Sequence, residues 1–276
     1  MRDNKTRHIG ILYFSPTNTT KKICHAIASG MGENHPVEIN ITNPEVREKI
    51  TSNPETIINN ITHLLVGAPV YEGKLPLQFI ECLNALPNVA KKECALVVVY
   101  GNRDFGIALR QMGEIFTKKG FKITAAGAFI GEHSYSKFMP IAIGRPDEKD
   151  VEAANNFGLD CLKSSGYLNA ENLPQQLDMN SKSKKYRYLG RAKFIAENCE
   201  QCGVCATLCP IGIISVETGD FISKQLKEKC IGCMACVFNC KNEARIFQAS
   251  FFWRFILRNY LKKATIQRLE PLIVFP

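Results

Sequence analysis

Through the first 160 or so residues, short apolar runs alternate with segments whose apolar positions recur at helical spacing. Ile9–Phe14 predicts a short buried strand, followed by a hydroxyl-rich turn and a helix from Thr19 to Met31. Val37–Ile41 and Thr62–Gly67 predict the second and third strands, and Leu77–Leu83 a helix with Leu77, Ile80 and Leu83 on one face. Cys94–Tyr100, rich in β-branched residues, predicts a central strand, and Ile107–Lys119 a helix closed by Gly120. Ile123–Ile130 predicts the fifth strand. Pro146–Lys163 predicts the last helix, whose positive first turn suits Asp147 and Glu148. Five strands with interleaved helices predict an α/β domain built on a doubly wound parallel sheet.

Beyond Ser164 the pattern lapses. The stretch to about Arg191 is polar, holds Pro174 and a Ser181–Lys185 run of serine and lysine, and shows no period. It divides the chain into a sheet domain over 1–165, a linker over 166–191, a small cysteine-rich module over 192–249 and a tail over 250–276. No stretch reaches the roughly 18 apolar residues of a membrane-spanning helix. The polar start, Met1 to Thr6, lacks the apolar core of a secretory signal, so a cytoplasmic location is expected.

The chain has 12 cysteines, eight of them between Cys199 and Cys240. Cys24, Cys82, Cys94 and Cys161 are scattered through the predicted sheet domain and read as small buried hydrophobes. The eight form two runs at a 31-residue period. Cys199-x2-Cys202-x2-Cys205-x3-Cys209-Pro210 comes first, then Cys230-x2-Cys233-x2-Cys236-x3-Cys240. Structural zinc sites set one C-x2–4-C pair against a distant second pair, whereas three cysteines at three-residue steps wrap one face of an iron–sulfur cubane. The runs resemble the bacterial two-cluster ferredoxins, in which the fourth cysteine of each run ligates the other cluster. The resemblance implies two 4Fe–4S clusters. One is held by Cys199, Cys202, Cys205 and Cys240, the other by Cys230, Cys233, Cys236 and Cys209. Lys241 follows the last cysteine where that family usually has proline.

The turn after the first strand reads Ser15-Pro-Thr17-Asn18-Thr19-Thr20. A phosphate there would meet hydroxyls, free backbone N–H groups and the positive end of a helix. The turn resembles the phosphate loop of flavodoxins, with Asn18 at a usual glycine, and asparagine tolerates the left-handed backbone well. Pro69-Val70-Tyr71 with Gly73, and Gly101-Asn102 with Asp104-Phe105, follow the third and fourth strands, at the sheet end where such folds bind ligands. By resemblance the sheet is flavodoxin-like, with order 2-1-3-4-5, and binds FMN through these residues. Tyr71 is placed to stack on the flavin ring. Gly131–Ser136 is placed to add contacts at the same rim, with His133 either a functional residue or an ordinary surface histidine.

Taken end to end, the chain resembles fusions of a flavodoxin domain with a two-cluster ferredoxin found in anaerobes. That implies electron transfer between FMN, the clusters and other redox proteins. Two alternatives stay open: a reductase that turns over a small molecule at an open flavin face, and a flavin-free ferredoxin or redox sensor on a flavodoxin-like docking domain. No arrangement of general base or nucleophile stands out as catalytic, and no G-x-G-x-x-G site for a nicotinamide cofactor occurs.

The net charge of +9 lies at the C-terminal end. Lys and Arg balance Asp and Glu at 19 each up to Ser181, then outnumber them 16 to 7. In the tail, Arg254, Arg258 and Lys262 share one helix face, and Trp253, Ile256, Leu257, Tyr260, Leu261 and Ala264 line much of the other. Such a helix packs on the protein itself, lies on an anionic membrane surface or docks an acidic redox partner. No nucleic-acid motif accompanies the charge.

Overall fold

The computed structural model describes residues 8–90, 92–176 and 190–276. The expected Met1–Thr6 start and Ser181–Lys185 run lie outside the described residues.

The chain begins β1 (Ile9–Tyr13), α1 (Thr19–Gly30), β2 (Val37–Asn40), α2 (Pro44–Ser52), β3 (His63–Pro69), α3 (Leu77–Ala85), β4 (Glu93–Tyr100), α4 (Ala108–Lys118), β5 (Lys122–Ile130) and α5 (Glu148–Lys163). The apolar strand runs divide residue by residue between the two faces, as the period of two requires. Leu12, Leu64, Leu96 and Val98 pack under α3 and α4, while Ile11, Leu65, Val97 and Phe129 pack under α1 and α5. The α1 and α5 backbones touch. A side-chain carbon on Gly30 would lie 1.9 Å from Asn155 O, and one on Gly158 2.1 Å from Ile27 O. Asp147 caps α5 by accepting from Asp150 N, and Asp150 returns the bond in a capping box.

The module comprises β6 (Arg191–Phe194), α6 (Val204–Thr207), α7 (Lys224–Lys227), α8 (Ala235–Phe238) and β7 (Arg245–Gln248). β6 and β7 pair antiparallel, so the first and last strands of the module close on each other. The internal repeat extends to the backbone. Gln201 and Gly232, Gly203 and Met234, and Gly212 and Glu243 all have positive φ, each pair separated as Cys199 is from Cys230.

The tail forms α9 (Phe251–Ile266) and β8 (Leu272–Val274). β8 returns to the first domain and pairs antiparallel with β5, Gly127 opposite Ile273. The sheet order is therefore β2-β1-β3-β4-β5-β8: the expected flavodoxin-like order of five parallel strands, with a sixth, antiparallel strand at the edge. A three-residue strand in the four residues between two prolines carries too little pattern to announce itself. α9 buries Leu257, Leu261 and Ala264 against Met139 and Ile141 of the segment after β5, so the tail belongs to the body of the protein.

The segment expected as linker is structured where it is described. Leu168 N donates to Ile123 O, Ala170 and Leu173 are buried beside α4, and Gln176 Oε1 accepts from Phe105 N at 2.7 Å. Its apolar residues follow neither period, which is why the sequence reads there as loop.

Candidate functional site

The turn after β1 is fixed from both sides. Ser15 N donates to Thr42 Oγ1 at 2.7 Å, and Ser15 Oγ accepts from Lys21 N at 3.0 Å, capping the first turn of α1. Asn18 stands at φ 62°, the left-handed conformation expected of it, and its carbonyl accepts from Lys22 N. Thr17 and Thr19 border a cleft at the carboxyl end of the sheet, while the buried Thr20 Oγ1 has no hydrogen-bond partner. A turn of this build at the N-terminus of a twelve-residue helix can hold a phosphate through backbone N–H groups and hydroxyls.

The cleft continues along Pro69, Val70, Tyr71, Val99, Tyr100, Gly101 and the Gly131–Ser134 segment. Tyr71 is pinned by a bridge to Lys74, each backbone N–H donating to the other's carbonyl. Burial, then the Cys233 and Cys230 sulfurs, push its phenol well above the usual range. His133 lies against Gly101, where any side-chain carbon would come within 2.5 Å of the ring, and its Nδ1 accepts from Tyr135 N. Burial and the nearby Arg103 push the imidazole down to about 4, so it is neutral at pH 7.

Of the residues expected around a flavin, Thr17, Thr19, Pro69, Val70, Tyr71 and Gly101 line the cleft. Ser15, Asn18 and Thr20 build its turn. Gly73 instead ties two loops together: its carbonyl accepts from Ile107 N, and Gly106 packs directly on it. The loop after β4 departs most from expectation. Asn102 is buried and turned to the tail, donating through Nδ2 to Ala264 O at 2.9 Å and Gln267 O at 2.7 Å. Its Oδ1 accepts from Leu269 N at 3.0 Å. Asp104 pairs with Arg103, and Phe105 is a core residue edge-on to Tyr100. A tail that returns over this loop cannot be read from local pattern.

The module brings Cys209, Cys230, Cys233 and Cys236 around one apolar cavity, whose wall includes Ile213, Ile214, Phe221 and Met234. Three belong to the second run and one to the first. They are the four residues that the resemblance assigns to one cluster. Burial pushes the Cys233 thiol well up and Cys236 to about 12, and the neighbouring sulfurs, Cys209 among them, add to the rise. A group that binds them as thiolates must supply compensating positive charge, as iron does. Cys199 accepts from Gln201 N at 3.4 Å, and Gly219 lets the Ser215–Asp220 turn come close to the Cys199 sulfur. Cys199, Cys205 and Cys240 are half-buried and Cys202 is exposed. Among the described residues no three Cys, His, Asp or Glu side chains close on one point as they would around a single ion.

Arg245 was not anticipated. It is 1% exposed, sandwiched between the Phe194 and Phe221 rings at 4.8 and 4.7 Å, and donates through Nη2 to Gly219 O. Nε and Nη1 have no hydrogen-bond partner, and the charge acts on Cys236 and Cys230. The available signal was the repeat itself, since 31 residues earlier stands the apolar Ile214.

The two regions meet. Cys233 lines the sheet-end cleft as well as the four-cysteine cavity, and Arg47 of α2 donates to Pro210 O.

Residues 191–241 match the 4Fe–4S dicluster domain family. Comparison with curated protein sequences finds no match. Among solved structures, a flavodoxin from the domain Archaea is 16% identical, with a TM-score of 0.40 over 56% of this chain and 96% of that one. An NADH:FMN oxidoreductase in its apo form is 18% identical, with a TM-score of 0.44 over 61% and 98%. The rubredoxin oxygen:oxidoreductase of Desulfovibrio gigas is 15% identical, with a TM-score of 0.43 over 56% and 35%. The strand order, rather than these likenesses, defines the first domain as flavodoxin-like, and a 4Fe–4S dicluster domain follows it.

Proposed function

We propose that this protein transfers electrons between one FMN, held at the carboxyl end of the sheet, and two 4Fe–4S clusters, and exchanges them with other redox proteins, as a flavodoxin–ferredoxin fusion of the kind found in anaerobes. The observation that carries the reading is that Cys233 stands in the walls of both the sheet-end cleft and the four-cysteine cavity. A flavin supplies two-electron chemistry that can also run in single steps, and each cubane passes one electron, so the pair converts between the two kinds of partner.

The residues present fit both groups. Thr17, Thr19 and the N-terminus of α1, with the partnerless Thr20 hydroxyl below, provide the phosphate seat. Tyr71 offers a flat wall beside Cys233, and the neutral His133 lines the same cleft. Cys209, Cys230, Cys233 and Cys236 hold one cluster; Cys199, Cys202, Cys205 and Cys240 hold the other.

Cofactor content tests this directly. Protein purified without oxygen should carry about eight iron, eight sulfide and one FMN per chain, the content of two cubanes and one flavin. Reductive titration should then bleach both chromophores. Full iron and sulfide with no flavin, even after FMN is added, would sink the converter reading.

A further inference from the structure

A helix that covers a soluble protein ordinarily turns its polar face outward. α9 does not. Its inner stripe, Leu257, Leu261 and Ala264, is already satisfied against Met139 and Ile141, yet Phe251, Phe252 and Phe255 stand on the outside at 91, 65 and 65% exposure. Ile266, at 78%, is exposed at the far end of the helix, beyond the exposed Lys262 and Lys263. Three adjacent exposed phenylalanines form the kind of patch that soluble monomers seldom leave open.

The charge along this helix has one sign. Lys262 and Lys263 share the outward face, Arg254 and Arg258 flank it over the Phe138 ring, and no Asp or Glu occurs from Arg245 to Leu269. Among the described residues no helix is long and apolar enough to cross a membrane, so an α9 in contact with lipid lies along the surface. We infer that α9 docks the protein on an anionic bilayer surface, with Phe251, Phe252 and Phe255 seated at the acyl boundary and the surrounding lysines and arginines on the headgroup phosphates. Aromatic insertion and cationic attraction are the two signals that reversible peripheral binding requires. The inference is independent of the redox reading, because it uses no residue of the clusters or the cleft.

The chain contains one tryptophan, Trp253, and it stands in this helix with its ring 5.4 Å from Phe252. The test adds vesicles to the full-length protein and follows Trp253 emission and co-sedimentation. Vesicles of phosphatidylcholine are compared with three parts phosphatidylcholine to one part phosphatidylglycerol. The expected result is binding to the mixed vesicles with a blue shift, at least about tenfold stronger than to neutral ones, and weakening in salt as screening shortens. Phe251→Ser/Phe252→Ser/Phe255→Ser should abolish the blue shift and most of the binding. Lys262→Gln/Lys263→Gln should weaken binding about fivefold per charge and leave neutral vesicles unaffected. Both variants change exposed residues only, so unchanged circular dichroism and cluster absorbance are expected and can be checked in the same samples. Failure to bind mixed vesicles, or equal binding by the phenylalanine variant, overturns the inference. So does a wild-type dimer that the phenylalanine variant converts to monomer with no vesicle binding, which would assign the patch to a second copy of the chain.

Discussion

Two residues show how burial sets chemistry at single positions. Arg245 occupies the place that the first repeat gives to Ile214, and no described acid neutralises its buried charge. Its charge acts on Cys230 and Cys236, two of the cysteines proposed to hold a cluster, so the cation favours negative charge there. Arg245→Met should lower the reduction potential of the second cluster by tens of millivolts, where about 59 mV is tenfold in a one-electron equilibrium. A redox titration followed by electron paramagnetic resonance reads this, and an unmoved potential would reduce Arg245 to packing. The apo protein should lose little stability, since an apolar side chain of similar size relieves a desolvated charge. His133 gives the second case. Its folded value of about 4 lies below the unfolded 6.5, so the unfolded chain binds the extra proton in between. Its contribution is fully present above about pH 6.5 and is lost as pH falls toward 4, with a slope of at most about 1.4 kcal/mol per pH unit. Urea titrations of His133→Gln across that range should show a flatter profile than wild type. Equal slopes would place the acid sensitivity elsewhere.

At the scale of elements, what was legible in the sequence follows from how local each signal is. β1, β3, β4 and β5 are apolar runs satisfied on both faces by helices, and such runs announce themselves. The cysteine runs carry their own spacing. α2 shows only faintly in the sequence although Asn43 accepts from Glu45 N and Pro44 opens the helix, because only Ile50 of its nine residues is buried. β8 was missed because its pairing partner lies far away in sequence. The same distance hid the role of Asn102, whose side chain makes three hydrogen bonds to the end of α9 and the residues beyond. Asn102→Ala should cost about 2–4 kcal/mol, at roughly 1 kcal/mol per lost bond plus the buried carbonyls left unpaired. Hydrogen exchange should rise at 264–269 while the β1 and β3 amides stay protected. Uniform loosening would mean that Asn102 supports the whole sheet. A weaker tie lies beside it, where the Arg268 guanidinium holds the Asp147 carboxyl well below the usual range. That depressed value stabilises the fold above the unfolded carboxylate value and loses its effect as pH falls through the folded one. Being partly exposed, the pair contributes under about 1 kcal/mol.

At the scale of the molecule, the chain leaves the sheet, builds the module and returns to the sheet as its sixth strand. The module is thus an insertion between strands of one domain. Its position against the cleft is held by Arg47 on Pro210, by Tyr135 and Phe138 around Phe247, and by the tail. On the proposed function, electron transfer falls steeply with distance, so a cluster in a module tied at both ends would pass electrons at a rate set by structure, whereas one on a single tether would wait for the domains to meet. Ending the chain after Leu269 removes β8 and the Phe275 contact with Phe157, and leaves the cysteines and the cleft untouched. The exposed edge of β5 then invites pairing with another chain. The truncated protein should keep its iron and sulfide, melt several degrees lower and self-associate. After a light pulse that reduces the flavin, cluster bleaching should be slower and spread over several phases. If bleaching keeps its wild-type rate as a single phase, the contacts made by the first domain alone suffice to seat the module, and β8 serves only to finish the sheet.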